Sequence, residues 1–429
     1  MTSNEDTVKS IVLLNDIILH DDDLSDEAKS QFSFHKDILH AYNLDRLRII
    51  QNHKLTPVGR HLLLFLLDSN HKNCNKVLNY AAANKEVLQK NMPNRGPLII
   101  CGLPRTGSTL LYNLLACDPN SRALLFREVY PECVPPISRT NVEEQTRKID
   151  ALRAFMYYRE QLLGRPRKYA EMHPVHDIEE DMLILMQGGL NMLVKTLSPI
   201  HQIEMDHWFY DDTNKDFAYD YHKIFLRMLD FVDSPRSHWL LKAPMHSLFL
   251  GTLNRHYPNA LLIMTHRHLN EVLPSICSLT LGYGSDYYDV SDPENRITLE
   301  TQAIQSTEHM IDCIVKFRRS DRHAEERLHK IFDVNYENLM RQPIVIVREI
   351  YQHFGLNWSD EFETNMQNWL RENPQGKQGR HTYNLSQFNL TPEDIAMRYA
   401  DYINMFLASA TESEHVAEKA IYNTLENNN

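Results

Sequence analysis

The sequence predicts an α/β protein: a P-loop-like parallel β-sheet flanked by helices, with an N-terminal helical extension. Three observations carry this. Short, wholly apolar runs recur along the chain, segments of helical period lie between them, and the first run feeds a turn with glycines five residues apart. Residues 6–92 read as helices, from the spacing of Val8, Ile11, Leu14 and Ile17-Ile18 and later of Val77, Ala81 and Val87. Asn91-Met92-Pro93-Asn94-Arg95-Gly96-Pro97 is a loop and a boundary, so residues 1–94 form the extension. Leu98-Ile99-Ile100-Cys101 then reads as a strand buried on both faces, followed by a helix with the leucine face Leu110, Leu111, Leu114 and Leu115. Leu124-Leu125-Phe126 suggests a second short strand, and residues 141–232 are mostly helical. Further strands are expected at Trp239-Leu240-Leu241, Leu261-Leu262-Ile263-Met264 and Ile331-Phe332-Asp333-Val334, with a helix over 298–317. The α/β domain spans 95–410, and the polar tail 411–429 is expected to fray.

Composition narrows the function. With 45 basic and 57 acidic residues the formal charge is −12, which disfavours nucleic acid as a partner. Six cysteines without a C-x-x-C pair suit reduced thiols in a cytoplasmic protein. The start lacks the basic and apolar regions of a secretory signal, and Leu62–Leu67 is far too short to span a membrane, so neither export nor a membrane partner is expected.

Chemistry concentrates in Gly102-Leu103-Pro104-Arg105-Thr106-Gly107-Ser108-Thr109. Gly102 and Gly107 have the spacing of a phosphate-binding loop, in which successive N–H groups wrap an anion at a helix N-terminus. The lysine that reaches the terminal phosphates in NTPases is replaced by Ser108, and Arg105 supplies positive charge from inside the loop. Arg105, Thr106, Ser108 and Thr109 crowd more donors here than a plain turn needs, and a tetrahedral anion is their complement. Farther on, Arg267 follows the strand that ends near Thr265, at the edge where open α/β sheets bind ligands. Ser275 comes eight residues later, about two helical turns on. Lys242, Pro244 and His246 follow another strand, and Gly376-Lys377-Gln378-Gly379-Arg380 is a small, cationic loop.

These motifs resemble those of the sulfotransferase superfamily, whose 5′-phosphosulfate loop P-[KR]-[ST]-G-[ST]-T is matched at all six positions from Pro104 to Thr109. The chain is most similar to the subfamily with G-L-P-R-T-G-[ST]-T and L-K-x-P-x-H, over roughly residues 95 to 400. The resemblance implies 3′-phosphoadenosine 5′-phosphosulfate as donor and co-substrate, without a metal. It implies that Arg105, Thr106, Gly107, Ser108 and Thr109 hold the 5′ end. Arg267 and Ser275 would hold the 3′-phosphate, with Lys377, Gly379 and Arg380 closing over it and Tyr336 in the same set. Lys242 would contact a donor phosphate or the sulfuryl group. For the base that takes the acceptor's proton, the resemblance points first to Glu128, then to His173 or His176. The acceptor is expected to be a small, apolar hydroxyl or amine compound, from the Met-, Leu- and Tyr-rich stretch 151–232. A nucleotide or small-molecule kinase on a divergent P-loop, or a non-catalytic nucleotide-binding module, are the alternatives. Oligomeric state stays open, a homodimer included.

Overall fold

A computed structural model describes residues 18–165, 177–198, 203–320, 329–374 and 385–408. Five strands, β1 (Leu98–Gly102), β2 (Ser121–Ala123), β3 (His238–Lys242), β4 (Leu261–His266) and β5 (Ile331–Asn335), make one sheet in the order β2-β3-β1-β4-β5. Every pairing is parallel, and Leu98 stands opposite both Leu240 and Leu261. The strand order therefore reverses at β1, which places a crevice at its carboxyl end.

The apolar runs do not alternate in polarity because both faces are covered. Leu98, Ile100, Leu240, Ile263 and Val334 join Leu111, Leu114, Val347 and Ile350 in one core. Ile99, Cys101, Leu241 and Met264 pack on the other side with a larger one. That core takes in Leu62, Leu67, Val77 and Leu78, so the N-terminal helices are built into the body. Thr56 caps the Pro57–Ala83 helix by accepting from the Gly59 N–H, with proline in its first turn, as helix starts favour. Among the described residues no helix is long and apolar enough to cross a membrane.

One strand differs from the sequence expectation. β2 occupies Ser121–Ala123, and Phe126–Val129 is a helical turn. Between them Leu125 makes a single antiparallel bridge to Ile178. Leu124 and Leu125 are buried and Phe126 is half-buried without joining the sheet, and Glu128 sits on the turn and not beyond a strand end.

Candidate active site

β1 runs into the phosphate loop at the crevice. Gly102 and Gly107 have φ of 110° and 84°. A Cβ on Gly102 would stand 2.8 Å from the Thr265 carbonyl oxygen, and one on Gly107 3.0 Å from the Tyr336 ring. Left-handed backbone and close approach together select glycine. The Gly102 N–H donates to Ser247 Oγ at 2.8 Å, and that hydroxyl donates to the Gly102 carbonyl at 3.1 Å, fixing the strand end. Arg105 adopts φ 68° with a full side chain, a conformation costing roughly 1–2 kcal/mol. Two contacts hold it there: Arg267 Nη1 donates to the Arg105 carbonyl at 3.1 Å, and Arg105 Nε donates to Ser275 Oγ at 2.9 Å.

The helix Ser108–Leu115 starts at Gly107, which has no side chain to cap it. Its first amides and the positive end of its dipole are thus available to an anion. Cations come to this point from two other segments, and an aromatic ring from a third. Lys242, at the end of β3, is 4% exposed, pairs with the Glu180 carboxylate and has its ammonium 3.5 Å from Thr109 Oγ1. Arg267, past β4, lies 4.1 Å over the Tyr336 ring, and its Nε donates to Glu271 at 2.7 Å. Tyr336 itself opens the short helix after β5. Arg105, Gly107, Ser108, Thr109, Lys242, Arg267, Ser275 and Tyr336 are therefore gathered at one edge of the sheet.

Thr106 is placed differently from the expectation for its side chain. Its hydroxyl is buried, donates to the Leu103 carbonyl at 2.6 Å and meets Thr265 Oγ1, so it ties the loop to β4 rather than facing a ligand.

Glu128 also departs from the role expected of it. The residue is 3% exposed, and its carboxylate accepts from Arg122 Nη2, Arg139 Nε, Arg139 Nη2 and the Leu125 N–H, each at 2.9 Å. Burial alone would raise its pKa, but the charges of Arg139 and Arg122 outweigh burial and hold it below the ordinary glutamate value. A carboxylate with four donors and a lowered pKa is a weak base, and the geometry gives Glu128 a structural ion pair instead. His173, His176, Lys377, Gly379 and Arg380 lie outside the described residues.

Glu179-Glu180-Asp181 stands just before a helix, where acidic residues commonly serve as caps. Asp181 does precede the helix Met182–Gln187, but its side chain makes no capping bond. It accepts instead from the Lys242 N–H at 2.9 Å, His246 Nε2 at 2.8 Å and His222 Nε2 at 3.0 Å. Burial opposes its ionisation, yet His246 and His222 hold its pKa far below the usual carboxylate range. Only the acidic triplet itself signalled this role in the sequence, because the partners are 41 to 65 residues away.

A parallel sheet whose central strand feeds a cation-ringed, uncapped helix N-terminus defines a P-loop-like α/β protein. The profile of the Sulfotransferase family matches residues 97–360, more than half of the 429 residues. The chain belongs to the sulfotransferase family. It is similar to the crystal structure of a sulfotransferase from Mycobacterium avium, at 25% identity and TM-score 0.70, over 95% of this chain and 97% of that one. A sulfotransferase from Mycobacterium tuberculosis has the same fold, at 21% identity and TM-score 0.68, over 93% and 98% of the two chains. No curated protein matches the sequence. The structural likeness extends over the N-terminal helices, which carry no motif.

Proposed function

We propose that this sulfotransferase moves a sulfuryl group from 3′-phosphoadenosine 5′-phosphosulfate to the hydroxyl or amine of a small, apolar acceptor. One observation carries the donor assignment: the uncapped start of the Ser108–Leu115 helix, ringed by Arg105, Lys242 and Arg267 from separate segments. In this reading the loop amides, Arg105 and Lys242 bind the 5′-phosphosulfate and neutralise charge on the oxygens where it develops. Arg267, stacked on Tyr336, and Ser275 bind the 3′-phosphate. The bond from sulfur to the phosphate oxygen breaks, a bond from sulfur to the acceptor forms, and the acceptor's proton passes to a base. With Glu128 held between two arginines, we assign that base to the segment 173–180. Glu180, already against Lys242 beside Thr109, is its candidate among the described residues, and His173 and His176 precede it.

The net charge of −12 supports an acceptor that is not a polyanion. The apolar stretch 151–232 supports a hydrophobic one less strongly than its composition suggests, since Tyr219, Tyr221, Phe225 and Met228 are core. Six free cysteines support a reducing, cytoplasmic setting. The test is transfer of label from ³⁵S-labelled donor to a panel of phenols, aliphatic alcohols, sterols and amines without added metal. Labelled product from at least one is expected. A kinase-like requirement for ATP with Mg²⁺, and no labelled product across the panel, would overturn the reading.

A further inference from the structure

β2 stops at Ala123, opposite Leu240, two residues short of Lys242 on β3. The Lys242 N–H, which a longer edge strand would bind, is taken by Asp181 Oδ1 at 2.9 Å. The other oxygen, Oδ2, receives two imidazoles, His246 Nε2 from the turn after β3 and His222 Nε2 from the helix Asp216–Val232. Each ring is held from behind by a tyrosine hydroxyl: Tyr219 at 2.9 Å from His246 Nδ1, and Tyr257 at 2.6 Å from His222 Nδ1. Asp181, His222 and His246 are fully buried. A carboxylate can only accept, so both Nε2 atoms carry their protons and the chain of bonds admits one arrangement at Asp181. Buried, fully satisfied networks of this kind fix geometry.

What they fix is the active-site lysine. The residue before Asp181 is Glu180, the carboxylate on the Lys242 ammonium, while Asp181 grips the backbone of the same lysine. Segment 180–181 therefore holds Lys242 at both ends, and the two histidines anchor that segment.

The geometry points to Asp181, oriented by His222 and His246, as a positioning residue that aims the Lys242 ammonium at Thr109 and the phosphate loop. This rests on the proposed sulfuryl transfer for its catalytic consequence, but the aim of Lys242 is a property of the protein alone. Asp181→Asn removes the charge and leaves one acceptor oxygen, which cannot receive the Lys242 N–H on one side and both histidine N–H groups on the other.

Two readouts separate positioning from a merely structural role. The first needs no turnover: limited acetylation of the whole chain, read by mass spectrometry at Lys242, with Lys148 on the Val142–Leu163 helix as a comparably buried control, 6% exposed against 4%. Asp181→Asn and His246→Leu are expected to raise labelling of Lys242 several-fold and to leave Lys148 unchanged. His246→Gln, which keeps an N–H donor, stays near wild type. Unchanged Lys242 labelling, or an equal rise at Lys148, would overturn the proposal. The second readout is a cycle in kcat. Lys242→Ala is expected to lose about 10²-fold, as for loss of a charge-stabilising donor. Asp181→Asn should lose about tenfold alone and nothing further in the Lys242→Ala background, because it acts through that lysine. Losses that multiply would overturn the proposal. If the wild-type enzyme transfers no sulfuryl group, the functional reading fails while acetylation still decides the positioning role.

Discussion

Neutralising Glu128 is the perturbation on which a catalytic and a structural account differ most. Its carboxylate receives three N–H groups from Arg122 and Arg139 and a fourth from Leu125. Arg122 is 3% exposed, stacks 4.7 Å over Trp239 and also donates to the Leu229 carbonyl at 2.8 Å. Glu128→Gln keeps the shape but leaves Arg122 as a buried cation without its counter-charge, and forces an amide NH₂ against arginine donors. Breaking a buried pair from one side costs about 3–5 kcal/mol. The retained carbonyl bond and the ring stacking of Arg122 place the expected loss near the lower end, at about 3 kcal/mol. Urea unfolding of the two proteins at pH 7 measures this directly, with turnover assayed at a temperature where both are folded. The structural account expects a clear fall in the unfolding midpoint, with turnover of the folded fraction reduced by no more than a few-fold. Unchanged stability with turnover abolished would refute it and return the base role to Glu128.

Three further outcomes follow from the geometry. Gly107→Ala should cost about 1–2 kcal/mol from its left-handed backbone, and should weaken nucleotide binding by pushing Tyr336 away from Arg267; unfolding and binding measured together check both effects. Arg267→Ala should lower affinity for a nucleotide bearing a 3′-phosphate by about ten- to a hundredfold, the worth of a charged hydrogen bond. Arg267→Lys should recover little of it, since a lysine cannot both stack on Tyr336 and present a fork, and calorimetry on the two variants decides. Stability should fall as pH drops from about 6.5 toward 4: burial depresses the pKa of His222 and His266, and that of His238 to about 4. The unfolded chain binds protons on these rings that the folded chain refuses, so each contributes up to about 1.4 kcal/mol per pH unit in that window. Glu128, with its depressed pKa, adds the same sign below about pH 4.5; flat stability between pH 7 and 5 would contradict this.

The legible parts of the fold were those whose signals are local. β1, β3 and β4 are apolar runs because both their faces are buried, the edge strand β5 shows through Ile331, Phe332 and Val334 although Asp333 is exposed, and the phosphate loop shows through glycines at two positive-φ positions. β2 was misplaced because it is a three-residue edge strand of Ser121, Arg122 and Ala123, less apolar than the crossing segment after it. The convergence of Arg105, Arg267 and Ser275 followed from motif order and the carboxyl edge of a parallel sheet. The inward turn of the Thr106 hydroxyl, the arginine clamp on Glu128 and the histidine-bound Asp181 did not, because each depends on a partner that only tertiary packing supplies. Acidic residues before a helix carry a strong local meaning as caps, and at Asp181 long-range partners overrode it.

The most direct test of the account is calorimetric titration of the protein with 3′-phosphoadenosine 5′-phosphate beside ADP, 5′-AMP and ATP with Mg²⁺. The account predicts tight binding that requires the 3′-phosphate, needs no metal and is lost in Arg267→Ala. Equal affinity for ADP, or a preference for ATP with Mg²⁺, would contradict it.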